Sequence, residues 1–100
     1  MAIIFGTDFS EYATVAAFAA AALARRMGEA LHLTHVLEYG SAGGASPILE
    51  AMHREAQARL EQQAQELRRR DVELKTHLLD GAPDEVLVDL ASQEHASLIV

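Results

Sequence analysis

Cysteine is absent from this 100-residue chain. That excludes disulfides, zinc-thiolate centres and thiol catalysis, and it fits a reducing compartment. Positive charge is scarce: eight Lys and Arg stand against fifteen Asp and Glu, for a formal net charge of −7. Neutralising a phosphate backbone or an anionic lipid surface needs a basic face, so this balance argues against nonspecific binding to nucleic acid or membrane. Five of the eight basic residues (Arg54, Arg59, Arg68, Arg69 and Arg70) fall in one predicted helix, but Glu50, Glu55, Glu61 and Glu66 are interleaved with them. The field of that segment is close to neutral. Long hydrophobic runs are missing too. The longest wholly apolar stretch, Val15 to Ala24, is far short of the roughly 17–25 residues of a membrane-spanning helix. The opening residues carry no basic segment and reach Asp8 too early for a secretion signal. The expectation is a soluble cytoplasmic protein.

Two phosphate-binding signatures are also lacking. No Gly-x-Gly-x-x-Gly follows the first apolar run, which argues against a dinucleotide-binding site. No Gly-x4-Gly-Lys-Ser/Thr is present, which argues against P-loop phosphoryl transfer.

What is present is a globular composition, half apolar and 23% charged. The length suits one domain, residues 1–100, with a modest core burying ~60–70% of the unfolded surface. Ile3-Ile4-Phe5 is an unbroken apolar run, as in a parallel strand covered on both faces. Asp8 then stands just past its carboxyl end, where open α/β sheets collect ligands. Ser10 is a natural N-cap and Glu11 complements the helix dipole; the helix runs to about Met27 and stops at Gly28. Its many alanines let the backbone lie close to a sheet, with Val15, Phe18 and Leu23 expected to supply bulk.

Ala30 to Glu38 reads as a second strand. Leu31, Leu33, His35 and Leu37 share one face, and His32, Thr34 and Val36 the other. Tyr39 to Ser46 is a glycine- and serine-rich loop, expected to be mobile. Ser46-Pro47 opens a second helix to about Arg70, with Met52, Ala56, Leu60, Ala64 and Leu67 as its buried stripe. Glu50/Arg54, Glu55/Arg59 and Glu66/Arg70 are spaced for ion pairs along it. Val72 to Leu79 alternates like a strand with one wetter face, as at a sheet edge. Asp80-Gly81-Ala82-Pro83 turns into a third helix that buries Val86, Leu87, Leu90 and Ala91, and Ser97-Leu98-Ile99-Val100 begins a fourth strand. This β-α-β-α-β-α-β alternation predicts an α/β fold with a parallel sheet and right-handed crossovers. A central strand ending without a covering helix implies a domain that continues past strand four.

Thr7-Asp8-Phe9-Ser10 after strand one, Leu33-Thr34-His35-Val36 in strand two, Gly81-Ala82-Pro83 before the third helix and Ala96-Ser97-Leu98-Ile99-Val100 opening strand four together resemble the universal stress protein (UspA-like) family. The resemblance covers essentially the whole chain. It implies a doubly wound, adenine-nucleotide alpha-hydrolase-like sheet of order 3-2-1-4, with a fifth strand beyond the given residues, and usually a homodimer. Some members bind ATP or AMP at the switch point between strands one and four. Carried over position by position, the cofactor-binding residues are Thr7, Asp8 and Val36, with Asp8 on the ribose and Val36 against the adenine. The family often has proline where this chain has Gly6, which predicts a looser entry to the site. Its glycine-rich phosphate segment follows strand four. A nucleotide-binding or regulatory module of the stress response is the leading expectation, and a dimerising module without nucleotide the alternative. At most weak ATP hydrolysis is expected, since no general base is identifiable.

The remaining candidates have simpler readings. Ser10 reads as a cap rather than a nucleophile. His32 and His35 project to opposite faces of a strand and cannot chelate one metal, so His35 reads as a core histidine bonded to a neighbour. Glu50 and His53 form a single Glu-x-x-His, where carboxylate metal bundles use two, so no metal site is expected. A response-regulator receiver has a similar fold, and Asp8 or Asp80 could serve as its phosphoacceptor. Asp80 is equally explained by its place before Gly81 in a turn.

Overall fold

The computed structural model describes residues 1–38 and 47–100. The elements follow as β1 (Ala2–Gly6), α1 (Glu11–Met27), β2 (Ala30–Leu37), α2 (Pro47–Arg68), β3 (Leu74–Asp80), α3 (Pro83–Gln93) and β4 (Ala96–Ile99). The strands form one parallel sheet in the order β3-β2-β1-β4. This is a doubly wound α/β arrangement in the expected order 3-2-1-4, with β1 between two neighbours and β3 at an edge. The Tyr39–Ser46 loop and the Ser46 cap lie outside the described residues.

The strand period separates two layers. Ile3 and Phe5 on β1 and Leu31 and Leu33 on β2 are buried against Ala17, Ala20, Ala21 and Ala24 of α1 and Leu60, Ala64 and Leu67 of α2. The alternate residues face α3. A Cβ added to Gly6 would stand 2.9 Å from Leu87 Cδ1, and Ile4, His32 and Thr34 share that face by register.

Helix α1 starts and stops as its sequence directs. The Ser10 hydroxyl accepts from the Ala13 N–H at 3.1 Å, and Gly28 ends the helix with φ 68°. Its bulk does not enter the core as expected: Val15 is 70% exposed and Leu23 38%. Four alanines at helical spacing define the contact stripe, and Val15 falls on the opposite side of the helix. Small side chains there bring the helix axis close to the sheet, which leaves no room for larger ones.

Helix α2 buries Ala56, Leu60, Ala64 and Leu67, while Met52 stays at the rim. Of the expected ion pairs, Glu55–Arg59 forms at 3.2 Å, whereas Arg70 lies beyond the helix end and stacks 4.4 Å over the Phe18 ring. The helix stops at Arg68 and β3 begins at Leu74, two residues inside each expected boundary. Asp71, at φ 56°, turns the chain between them, so Val72 packs on the core from the connection rather than from the strand.

Candidate functional site

The segment between β1 and α1 is held by its own polar groups. The Thr7 N–H donates to the Thr34 carbonyl at 2.8 Å, continuing the sheet one residue past β1. The buried Thr7 hydroxyl accepts from the Phe9 N–H at 3.1 Å, and Asp8 Oδ1 accepts from the Ser10 N–H at 2.9 Å. Phe9 takes the left-handed conformation (φ 65°), uncommon for a bulky residue and held here by a ring contact. Its ring lies on His35, with centroids 4.2 Å apart, and His35 Nδ1–H donates to the Thr7 carbonyl at 2.6 Å. His35 is thus bonded to a neighbour, and the bond locks its tautomer.

Beside this turn opens a cleft of about 620 Å³, within the usual range for ligand pockets. Its floor and walls include Gly6, Thr7 and Asp8 from the end of β1, Val36 from β2, Leu87 from α3 and Val100 after β4. The three sequence-predicted residues therefore meet in one cavity. Their environments differ. Asp8 is exposed, and hydrogen bonds from the Ser10 hydroxyl and N–H hold its carboxyl below the usual range, so it is an anion that faces the cleft. Val36 is half-buried and lies at a strand end. Thr7 is 5% exposed and its hydroxyl is already used within the turn, so that side chain shapes the turn.

Gly6 corrects the expectation of a looser entry. It is a paired β residue whose N–H donates to the Val100 carbonyl at 3.2 Å, while the Val100 N–H donates to Ile4 at 2.8 Å. Proline would remove the first bond, and any Cβ would press on Leu87. Glycine keeps β1 laced to β4 and lets α3 approach.

Tyr12, Pro83, Leu87 and Glu38 also line the cleft, and sequence reasoning missed them as site residues. Tyr12 carried a usable signal, an aromatic in the first turn of the helix after Asp8, and it is 88% exposed. The lining contains two carboxylates, Asp8 and Glu38, and no Lys or Arg among the described residues.

Other candidates stand elsewhere. His32 is on the α3 face, 2.8 Å from His77, and so does not join His35. His53 bonds the Leu49 carbonyl and Asp80 at 2.9 and 3.0 Å, which raises its pKa, the carbonyl first and the carboxylate second. Asp80 is engaged there and does not line the Asp8 cleft. No three His, Asp or Glu side chains converge as a metal site among the described residues. No described helix is long and apolar enough to cross a membrane.

A universal stress protein family model matches residues 1–100. A universal stress family protein from Burkholderia pseudomallei superposes with a TM-score of 0.81 at 27% identity, over 98% of this chain and 78% of that one. The universal stress protein of Archaeoglobus fulgidus gives 0.80 at 28% identity, over 100% and 74%. A structure from the same organism in complex with dAMP gives 0.80 at 27%, over 99% and 78%. No curated protein matches. With a full-length family match and the β3-β2-β1-β4 sheet, the chain belongs to the universal stress protein family.

Proposed function

We propose that the cleft beside Asp8 binds an adenine nucleotide, ATP or AMP, and that the chain is a nucleotide-responsive regulatory module of the stress response rather than a dedicated enzyme. The observation that carries this is the Asp8 carboxylate, exposed and anionic, in the same cavity as the half-buried Val36 strand end. A carboxylate accepts from ribose hydroxyls and a strand end pairs with an adenine edge. The dAMP-bound Archaeoglobus fulgidus relative supports an adenine ligand. Because the described lining carries two carboxylates and no Lys or Arg, these residues suit the nucleoside half; we assign the phosphates to the glycine-rich segment that the family places after strand four. The module acts in the cytoplasm.

Titrating AMP and ATP into the intact protein and an Asp8→Ala variant tests the reading. The variant should bind about tenfold or more weakly, on the order of one lost charge-assisted hydrogen bond. Equal affinity would remove Asp8 from the site.

A second reading, which the family resemblance also allows, is a dimerising module without nucleotide. Light scattering reads it directly: a dimer that ignores AMP would favour it over the first.

A further inference from the structure

We propose a second anion site, for a compact di- or triphosphate group, in the hollow between the carboxyl ends of α1 and α2. This hollow of about 420 Å³ is lined by Phe18, Ala22, Arg25, Arg26 and Arg70. Since helices in this fold run back against the strands, it lies at the amino end of the sheet, opposite the Asp8 cleft. In a chain of net charge −7 with eight cationic side chains, five (Arg25, Arg26, Arg68, Arg69 and Arg70) gather at these two helix ends, and three of them line the hollow.

The simplest account of such arginines is compensation of two helix macrodipoles, and the charges decide against its sufficiency. Each helix end contributes about −0.5, and Asp71 adds one unit at 3.9 Å from Arg25, an exposed and weakly coupled pair. Against these stand three guanidinium charges, which leaves about one positive charge in excess. Arg68 is taken by Glu61 at 2.6 Å. Neither Arg26 nor Arg70 has a carboxylate within 4.0 Å among the described residues.

The geometry also favours a multivalent partner. Arg70 is fixed by lying 4.4 Å over Phe18, so part of the ordering entropy of its side chain is lost before any ligand arrives. Planar guanidinium forks match phosphate oxygens in pairs. A single carboxylate would occupy one fork and leave the others, whereas adjacent phosphates engage several and offset the repulsion of the −7 body.

The probe is inorganic pyrophosphate added to the intact protein, read by calorimetry and by the side-chain Nε–Hε resonances of Arg26 and Arg70. Binding with a dissociation constant below about 1 mM, weakened by added salt, is expected. The Arg26→Gln/Arg70→Gln double variant should lose about tenfold or more, and Arg54→Gln on the far end of α2 should bind as the parent does. A second arm adds ADP after AMP has saturated the Asp8 cleft. ADP shifting the arginine resonances at lower concentration than pyrophosphate identifies a nucleotide tail as the ligand, and the reverse order a free phosphate anion. No shift at millimolar pyrophosphate, or a loss below tenfold in a double variant with parental circular dichroism, overturns the proposal. Neither result bears on Asp8.

Discussion

His35 reaches from β2 to the backbone of Thr7, its Nδ1–H donating to the carbonyl oxygen at 2.6 Å while its ring carries Phe9 at 4.2 Å. The side chain of the second strand therefore fixes the turn that follows the first, and with it the direction of Asp8. Both contacts are made by one ring, so one substitution removes both.

His35→Ala should cost about 1–3 kcal/mol of stability, since a partly buried carbonyl loses its donor and Phe9 loses the contact that holds its left-handed backbone. Urea unfolding of the variant against the parent measures it. His35→Asn keeps a donor of similar reach and should recover part of the loss.

Gly6 sets how closely α3 can approach the sheet. Gly6→Ala places a methyl 2.9 Å from the flexible end of Leu87 and should destabilise by roughly 1 kcal/mol, at the low end for overpacking because that side chain is only half-buried. Gly6→Pro should cost more, since the hydrogen bond to Val100 goes as well. Coupling Gly6→Ala with Leu87→Ala in a thermal-melt cycle should cancel most of the alanine penalty, and additive losses would show that the clash is not the cause.

The pair of buried His32 and half-buried His77 should make stability depend on pH. The rings lie parallel with nitrogens 2.8 Å apart, and desolvation first, helped by the neighbouring ring for His32 and by Lys75 for both, pushes their pKa values below 6.5. Glu94 from the end of α3 acts on both in the opposite sense, and Glu73 on His32. With folded values below the unfolded one, the unfolded chain binds more protons as pH falls past about 6.5, so stability is full above that value and declines below it. His53 has the opposite sign. Its raised pKa adds stability that is present below about 6.5 and lost as pH rises through the folded value, but the side chain is exposed and the effect small. Urea midpoints at pH 7.5 and pH 5 should therefore fall in that order, and His77→Leu should flatten the difference.

Gln63 is buried between α1 and α2 with its amide nitrogen donating to Thr14 Oγ1 at 3.2 Å and its Oε1 without a partner among the described residues. The orientation follows from Thr14, whose own hydroxyl proton goes to the Ser10 carbonyl at 3.1 Å. Gln63→Met removes an unsatisfied acceptor at the loss of one neutral bond, so thermal melts should show a change within about ±1 kcal/mol. A loss above about 3 kcal/mol would mean that Oε1 has a partner in solution.

Much of this architecture is legible locally. The Ser10 cap, the Gly28 stop and Pro83 at the start of α3 mark helix ends through a side-chain acceptor, a left-handed backbone and a fixed φ, each a property of one residue. The apolar run at β1 marks a strand covered on both faces, and Asp8 lies just past its end. Less legible was which side of α1 would be buried, because Val15 and the alanines are all apolar and periodicity alone did not rank them. The cleft was half readable: Thr7, Asp8 and Val36 carry the family pattern, whereas Leu87 and Pro83 come from a helix some eighty residues along the chain and join only when α3 folds over Gly6.

The order of elements, their caps and the two-faced strands were determined by the sequence by itself, because each depends on residues within one or two turns of one another. Tertiary structure alone decided that His32 would meet His77, that His35 would hold the Thr7 carbonyl and that Arg26 and Arg70 would share a hollow. Such meetings depend on strand register and helix approach, which are set by the packing of the whole chain and leave no periodic trace in it.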